Sequence, residues 1–201
     1  MEKKQQESKV QKLTILSIFT AVIIVLQVLC TFIRFGPFSI TLALAPIIIG
    51  AAMYGPSAGA YLGGVFGLVV LVTGLFGWDG GVVMYLLGQN ALACVLICLG
   101  KGAAAGWISG LVYKLFEKKS LPLAVILAAI VCPVVNTGLF VLGMMAFFMS
   151  TLESWAGGQN MVYYVFIVLA GLNFLVELGV NLLLSSGITS IIRYGKRRER
   201  V

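Results

Sequence analysis

Apolar residues run through this chain in long blocks, separated by short stretches where glycine, proline and charged residues collect. Windows of such blocks predict membrane spans, each needing about 20 apolar residues to cross the hydrocarbon core. The first span runs from Leu13 to Ile33, and the second, a short one, from Ile40 to Tyr54. A Gly55-Pro56-Ser57-Ala58-Gly59 turn leads into the third, Ala60 to Leu75. Phe76 to Asn90 reads as a longer connection containing a short helix. The fourth span is Ala91 to Leu115, the fifth Leu121 to Met149 and the sixth Met161 to Ile192. The first block is too long for a signal h-region, and no small-residue cleavage site follows it, so it counts as a mature span. The expectation is one all-α integral membrane domain over residues 1–201, a compact bundle of six transmembrane helices. Residues 1–12 form an N-terminal tail and residues 193–201 a basic C-terminal tail.

Composition supports this reading. The chain is 60% hydrophobic and 10% charged over 201 residues, with mean hydropathy +1.05. A soluble domain carries about 25% charged residues and has too little interior for so much apolar surface. Disorder requires low hydrophobicity and is excluded by the same figures.

The net charge of +7 acquires meaning from its placement. Lys3, Lys4, Lys9 and Lys12 precede the first span, Lys114, Lys118 and Lys119 separate the fourth and fifth, and Arg193, Lys196, Arg197, Arg198 and Arg200 follow the sixth. An even number of spans puts all three groups on one side, twelve of the fourteen basic residues. This is the positive-inside pattern, so both termini are expected in the cytoplasm and the excess charge marks topology, not nucleic-acid binding. The outer loops are then Arg34–Ser39, Phe76–Asn90 and Ser150–Asn160, carrying Trp78, Asp79, Glu153 and Trp155. The pairs Gly80-Gly81 and Gly157-Gly158 give the last two the freedom of a lid, or simply of a surface loop.

Ionisable groups at membrane depth are costly and point to function. Lys101 falls near the middle of the fourth span, Asn136-Thr137 near the middle of the fifth, and Glu177 just past the middle of the sixth. Asn173, Glu177 and Asn181 recur at helical spacing and share one face, which cannot look at lipid. One reading is a polar pocket lined by Lys101, Asn136, Asn173 and Glu177. The other is a buried Lys101–Glu177 ion pair that only fastens the bundle. Asn181, near the cytoplasmic end, reads as structural. Gly59, Gly63 and Gly67 on the third span and Gly102, Gly106 and Gly110 on the fourth form two rows that permit close helix approach.

Several functions are excluded or weakened. The chain has no histidine, which removes His-based acid–base chemistry and HExxH metal sites. Cys30, Cys94, Cys98 and Cys132 lie in apolar runs without a CxxC pair, so they read as packing residues. No GxxxxGK[ST] loop is present, so the chain is not itself an ATPase, and no acidic cluster offers a two-metal site. No enzyme activity and no metal site are expected. A stand-alone small carrier or channel for a polar solute is the alternative to a membrane-embedded binder.

The order of motifs adds a resemblance. Gly36-Pro37-Phe38-Ser39-Ile40-Thr41, Pro46-Ile47-Ile48-Ile49-Gly50-Ala51, Tyr54-Gly55-Pro56-Ser57-Ala58-Gly59-Ala60 and then Gly63 and Phe66-Gly67 look like the substrate-binding (S) component of energy-coupling factor (ECF) transporters. Val134-Val135-Asn136-Thr137-Gly138 fits more loosely. The resemblance implies a high-affinity binder for a vitamin or related micronutrient in a prokaryotic plasma membrane. It implies partners too: a membrane T subunit and two cytoplasmic ATPases that use ATP, with no cofactor in this chain. The family's Ala-x-x-x-Ala docking motif corresponds here to Ser17 and Ala21, the first position departing from the pattern. Its pocket, built from the outer parts of spans 4 to 6 and the outer loops, corresponds to Gln89, Asn90, Trp155, Tyr163, Tyr164 and Asn173, with Lys101 and Glu177 at or below its floor. A carboxylate ligand such as pantothenate, biotin or folate would suit Lys101 or Arg34. A cationic or aromatic ring, as in thiamine, pyridoxine or riboflavin, would suit Glu177 with Trp and Tyr.

Overall fold

The computed structural model describes residues 2–35, 38–39, 41–169 and 171–198, with side chains described for 10–33, 41–165, 167–168, 171 and 173–194. Gly36, Pro37 and Ile40 of the motif, the side chains of Lys3, Lys4, Lys9, Arg34, Lys196, Arg197 and Arg198, and Arg200 fall outside these residues.

Helices make up nearly all of the described chain. Helix α1 is Glu2–Thr31, followed by a two-residue ribbon pairing β1 (Arg34–Phe35) with β2 (Phe38–Ser39). Then come α2 (Leu44–Tyr54), α3 (Pro56–Leu75), α4 (Val82–Phe116), α5 (Leu121–Phe147), α6 (Met149–Ala156) and α7 (Met161–Tyr163). A π-helical segment, Tyr164–Leu169, leads into α8 (Gly171–Arg198).

Five of these elements are long and apolar enough to cross a membrane: Val10–Thr31, Pro56–Leu75, Val82–Phe116, Leu121–Phe147 and Asn173–Tyr194. The second expected span is realised as the 11-residue α2, well short of the ~20 residues of a straight crossing. Its surroundings account for that. Leu44 through Ala52 are all buried, and α2 touches α1, α3, α4, α5 and α8. It is covered by protein rather than lipid, so its length need not match the hydrocarbon core. The outer surface is apolar, with Leu142 63% and Leu183 80% exposed, as expected of a multi-pass bundle bathed in lipid tails.

The two glycine rows face each other. A Cβ at Gly59 would strike the carbonyl of Gly106, one at Gly63 the carbonyl of Gly102, and one at Gly67 the carbonyl of Cys98. Each step of four along α3 is matched by a step of four backwards along α4, so the helices run antiparallel with their backbones in contact. Lipid supplies no hydrophobic drive between helices, so such close backbone packing is what holds them.

Local breaks position the site. Helix α4 is interrupted at Asn90 (φ −153°, ψ 92°), where the Asn90 side chain accepts from the Ala93 amide at 3.1 Å and caps the segment that follows. The residues before it form the expected short helix of the outer connection. Asp79 opens that helix, accepting from Gly81 N at 2.9 Å and Val83 N at 2.8 Å. In α5, Pro133 removes one intrahelical donor a turn before Asn136. The sixth expected span is broken by the π-helical segment, a feature frequent at functional sites. The loop glycines Gly80, Gly81, Gly157 and Gly158 all adopt positive φ, a backbone that side chains disfavour.

Candidate functional site

The helices leave a cavity of about 110 Å³ between them. It is lined by polar groups from five segments. Gln27 comes from α1, Thr41 from the approach to α2, Lys101 from α4, Asn136 and Thr137 from α5, and Asn173 and Glu177 from α8. Apolar walls come from Phe66 and Val70 of α3, Val82, Val83, Leu86 and Ile97 of α4 and Phe140 of α5, while Asp79, Cys94 and Cys98 complete the lining. A mostly apolar concavity with a few convergent polar groups is the usual form of a small-molecule site.

Glu177 is 5% exposed. Its Oε1 accepts from the Thr41 backbone N–H at 3.2 Å. The Thr41 hydroxyl donates to Gln27 Oε1 at 2.7 Å and accepts from Ala43 N at 3.1 Å. One carboxyl oxygen is therefore clamped by a braced loop. The other, Oε2, is buried without a hydrogen-bond partner among the described residues, as is Oδ1 of Asn136. Buried acceptors left unmade are costly, and both belong to side chains lining the cavity.

Lys101 lies with Nζ 4.9 Å from the centroid of the Phe140 ring, a cation–π contact. Among the described residues, Lys101 and Glu177 form no ion pair within 4.0 Å; they face one cavity without touching. The ion-pair staple is thus not what the structure contains. The carboxylate of Asp79, also at the cavity, has both oxygens engaged by the amides of Gly81 and Val83.

Four of the residues singled out in the sequence, Lys101, Asn136, Asn173 and Glu177, come together in this cavity. Trp155 and Tyr164 line an adjoining cleft with Gly80, Gly81, Val82 and Tyr85, where the Tyr85 and Trp155 rings lie 6.1 Å apart. Val82 borders both spaces. Asn90 spends its side-chain oxygen on capping and is not among the lining residues; Tyr163 is exposed. Asn181 donates to the Glu177 carbonyl at 2.9 Å, a contact within α8. Ser17 and Ala21 are exposed on α1, away from the cavity.

Sequence reasoning missed Gln27 and Thr41. Gln27 carried a signal, since it interrupts the apolar run Ala21–Cys30. Cys94, Cys98 and Lys101 also share a helix face by their spacing. The four cysteines are free and buried, and no group of three metal-ligating side chains is assembled among the described residues.

Residues 11–189 match the family described as "ECF transporter, substrate-specific component". The chain belongs to that family. It is a transport component of the membrane, not a member of an enzyme family. A curated relative, the pantothenic acid transporter PanT of Lactococcus lactis subsp. cremoris (strain MG1363), is 41% identical over 71 residues. That stretch covers 34% of this chain and 36% of the relative, so the likeness spans about a third of each protein.

Proposed function

We propose that this protein is the high-affinity binding subunit for uptake of pantothenate or a closely related vitamin-like carboxylate, working within an ATP-driven ECF transporter. The observation that carries this reading is the cavity, where, among the described residues, Lys101 forms no ion pair within 4.0 Å and Glu177 and Asn136 each keep an unused acceptor. Such a set of unmet polar groups suits a small polar ligand, and the named substrate of the PanT relative supplies a carboxylate, an amide and two hydroxyls. In this reading α2 is the second of six spans, both termini are cytoplasmic, and the cavity is loaded from outside the plasma membrane of a prokaryotic cell. Partners are a membrane T subunit, docking near Ser17 and Ala21, and two ATPases that consume ATP. This chain carries no cofactor of its own.

Thermal unfolding of the detergent-purified chain with pantothenate and other B vitamins tests the substrate. A ligand present at 100 times its dissociation constant stabilises by about 2.7 kcal/mol. A shift with pantothenate and none with thiamine or riboflavin is the expected result. A shift with thiamine alone would overturn it.

A further inference from the structure

Unmet demand in the cavity is chemically divided. Of its three charged groups, Asp79 is satisfied by two amides at the start of α4, and Glu177 is half satisfied by the Thr41 amide. Among the described residues, Lys101 forms no ion pair within 4.0 Å and lies against the face of Phe140. Among the described residues, Lys101 is therefore left without a carboxylate in contact, and Glu177 Oε2 and Asn136 Oδ1 without hydrogen-bond donors. A single cation placed on Glu177 would leave Lys101 unanswered, and a simple carboxylate would leave the two acceptors unanswered. A hydroxylated monocarboxylate answers both.

We propose that Lys101 receives the carboxylate of the substrate while Glu177 Oε2 and Asn136 Oδ1 accept hydrogen bonds from its hydroxyl groups, with Gln27 and Thr41 as positioning residues that hold Glu177. This division rests on the pantothenate reading and deepens it, assigning each end of the molecule to its own residues. Charged partners make the stronger hydrogen bonds, so Lys101 sets affinity for the acid and Glu177 selects its hydroxylated form.

Calorimetric titration of the full chain in detergent tests it with three probes: pantothenate, pantothenol (in which a hydroxymethyl group replaces the carboxylate), and an acyl β-alanine of the same skeleton without the two hydroxyls. The wild type is expected to prefer pantothenate over each analogue by about tenfold or more. Lys101→Met is expected to bind pantothenate and pantothenol alike while still rejecting the deoxy analogue. Glu177→Gln keeps an oxygen for the Thr41 amide and turns an N–H₂ towards the cavity in place of Oε2, so it exchanges an acceptor for a donor. It is expected to keep the carboxylate preference and to weaken the hydroxyl preference, part of which Asn136 retains.

Equal weakening of all three ligands in both variants overturns the division and leaves pantothenate as substrate. A wild type that ignores pantothenate and binds a cation such as thiamine overturns both. Should either variant fail to give a monodisperse protein, the wild-type series decides alone: no preference between pantothenate and pantothenol overturns the role of Lys101, and none between pantothenate and the deoxy analogue that of Glu177.

Discussion

The backbone N–H of Thr41 donates to Glu177 Oε1 at 3.2 Å, joining residues 136 positions apart. The loop before α2 is thereby tied to the second turn of α8, and the other carboxyl oxygen is left to the cavity. The hydroxyl of Thr41 holds that loop through Gln27 and Ala43. Thr41→Val keeps the shape and the amide but strands the Gln27 oxygen and the Ala43 N–H. Each buried group left unpaired costs about 1–3 kcal/mol. Thermal unfolding should fall accordingly in the unliganded protein, and pantothenate should still bind, more weakly, because Glu177 keeps its anchor. Unchanged stability would show that the brace is not made.

The α3–α4 contact predicts a sharp contrast between neighbouring glycines. A methyl group at Gly63 has nowhere to go but into the Gly102 carbonyl, whereas Gly64 faces open space. Gly63→Ala must push two backbones apart, at a cost of about 1–3 kcal/mol for overpacking, and lowers the midpoint of unfolding. Gly64→Ala leaves it unchanged or raises it, since alanine favours the helix by about 1 kcal/mol. Equal effects at the two positions would mean that the glycine rows do not interlock.

Asn90 separates a structural role from a binding one. Its side chain caps the long segment of α4, so Asn90→Ala is expected to lose about 1 kcal/mol of stability with unaltered pantothenate affinity. Asn90→Asp keeps the cap and restores stability. A tenfold loss of affinity at full stability would instead return Asn90 to the ligand site.

The cysteines report on the cavity directly. Cys94 and Cys98 line it, while Cys30 and Cys132 are buried elsewhere. If a thiol reagent reaches Cys94 and Cys98 only in the empty cavity, pantothenate at 100 times its dissociation constant slows their modification about a hundredfold. Peptide mapping should show Cys30 and Cys132 unaffected. Equal rates with and without ligand would place the ligand outside this cavity.

The helical blocks and the glycine rows were legible because hydrophobicity and small-residue spacing act along the chain. Lys101, Asn136, Asn173 and Glu177 were legible for a related reason: each is a polar residue where lipid or core tolerates few. Gln27 obeys the same logic, a lone amide within the apolar run Ala21–Cys30. Thr41 could not be found this way, since its contribution is partly a backbone N–H and its partner lies on the last helix. The shortness of α2 likewise depends on five helices surrounding it, which no local window records. The separation of Lys101 from Glu177 is also tertiary, and no spacing along the chain records it.

Docking to the T subunit gives the last prediction. Ser17 and Ala21 sit one turn apart and exposed on α1, and the Ser17 hydroxyl donates to the Leu13 carbonyl at 2.9 Å. The serine is thus satisfied within its own helix and presents nearly as flat a surface as alanine. Small residues at this spacing let a second helix approach closely in lipid. Ser17→Ala is therefore expected to leave assembly intact, whereas Ala21→Phe, which raises a large ring on the same face, prevents it. Co-purification with the T subunit and ATPases, and ATP-dependent uptake into liposomes, should fail in Ala21→Phe. Pantothenate affinity of the isolated chain should stay at the wild-type value, because α1 faces the cavity with Gln27 and not with Ala21. Uptake that persists in Ala21→Phe would mean that the T subunit docks on another face of the bundle.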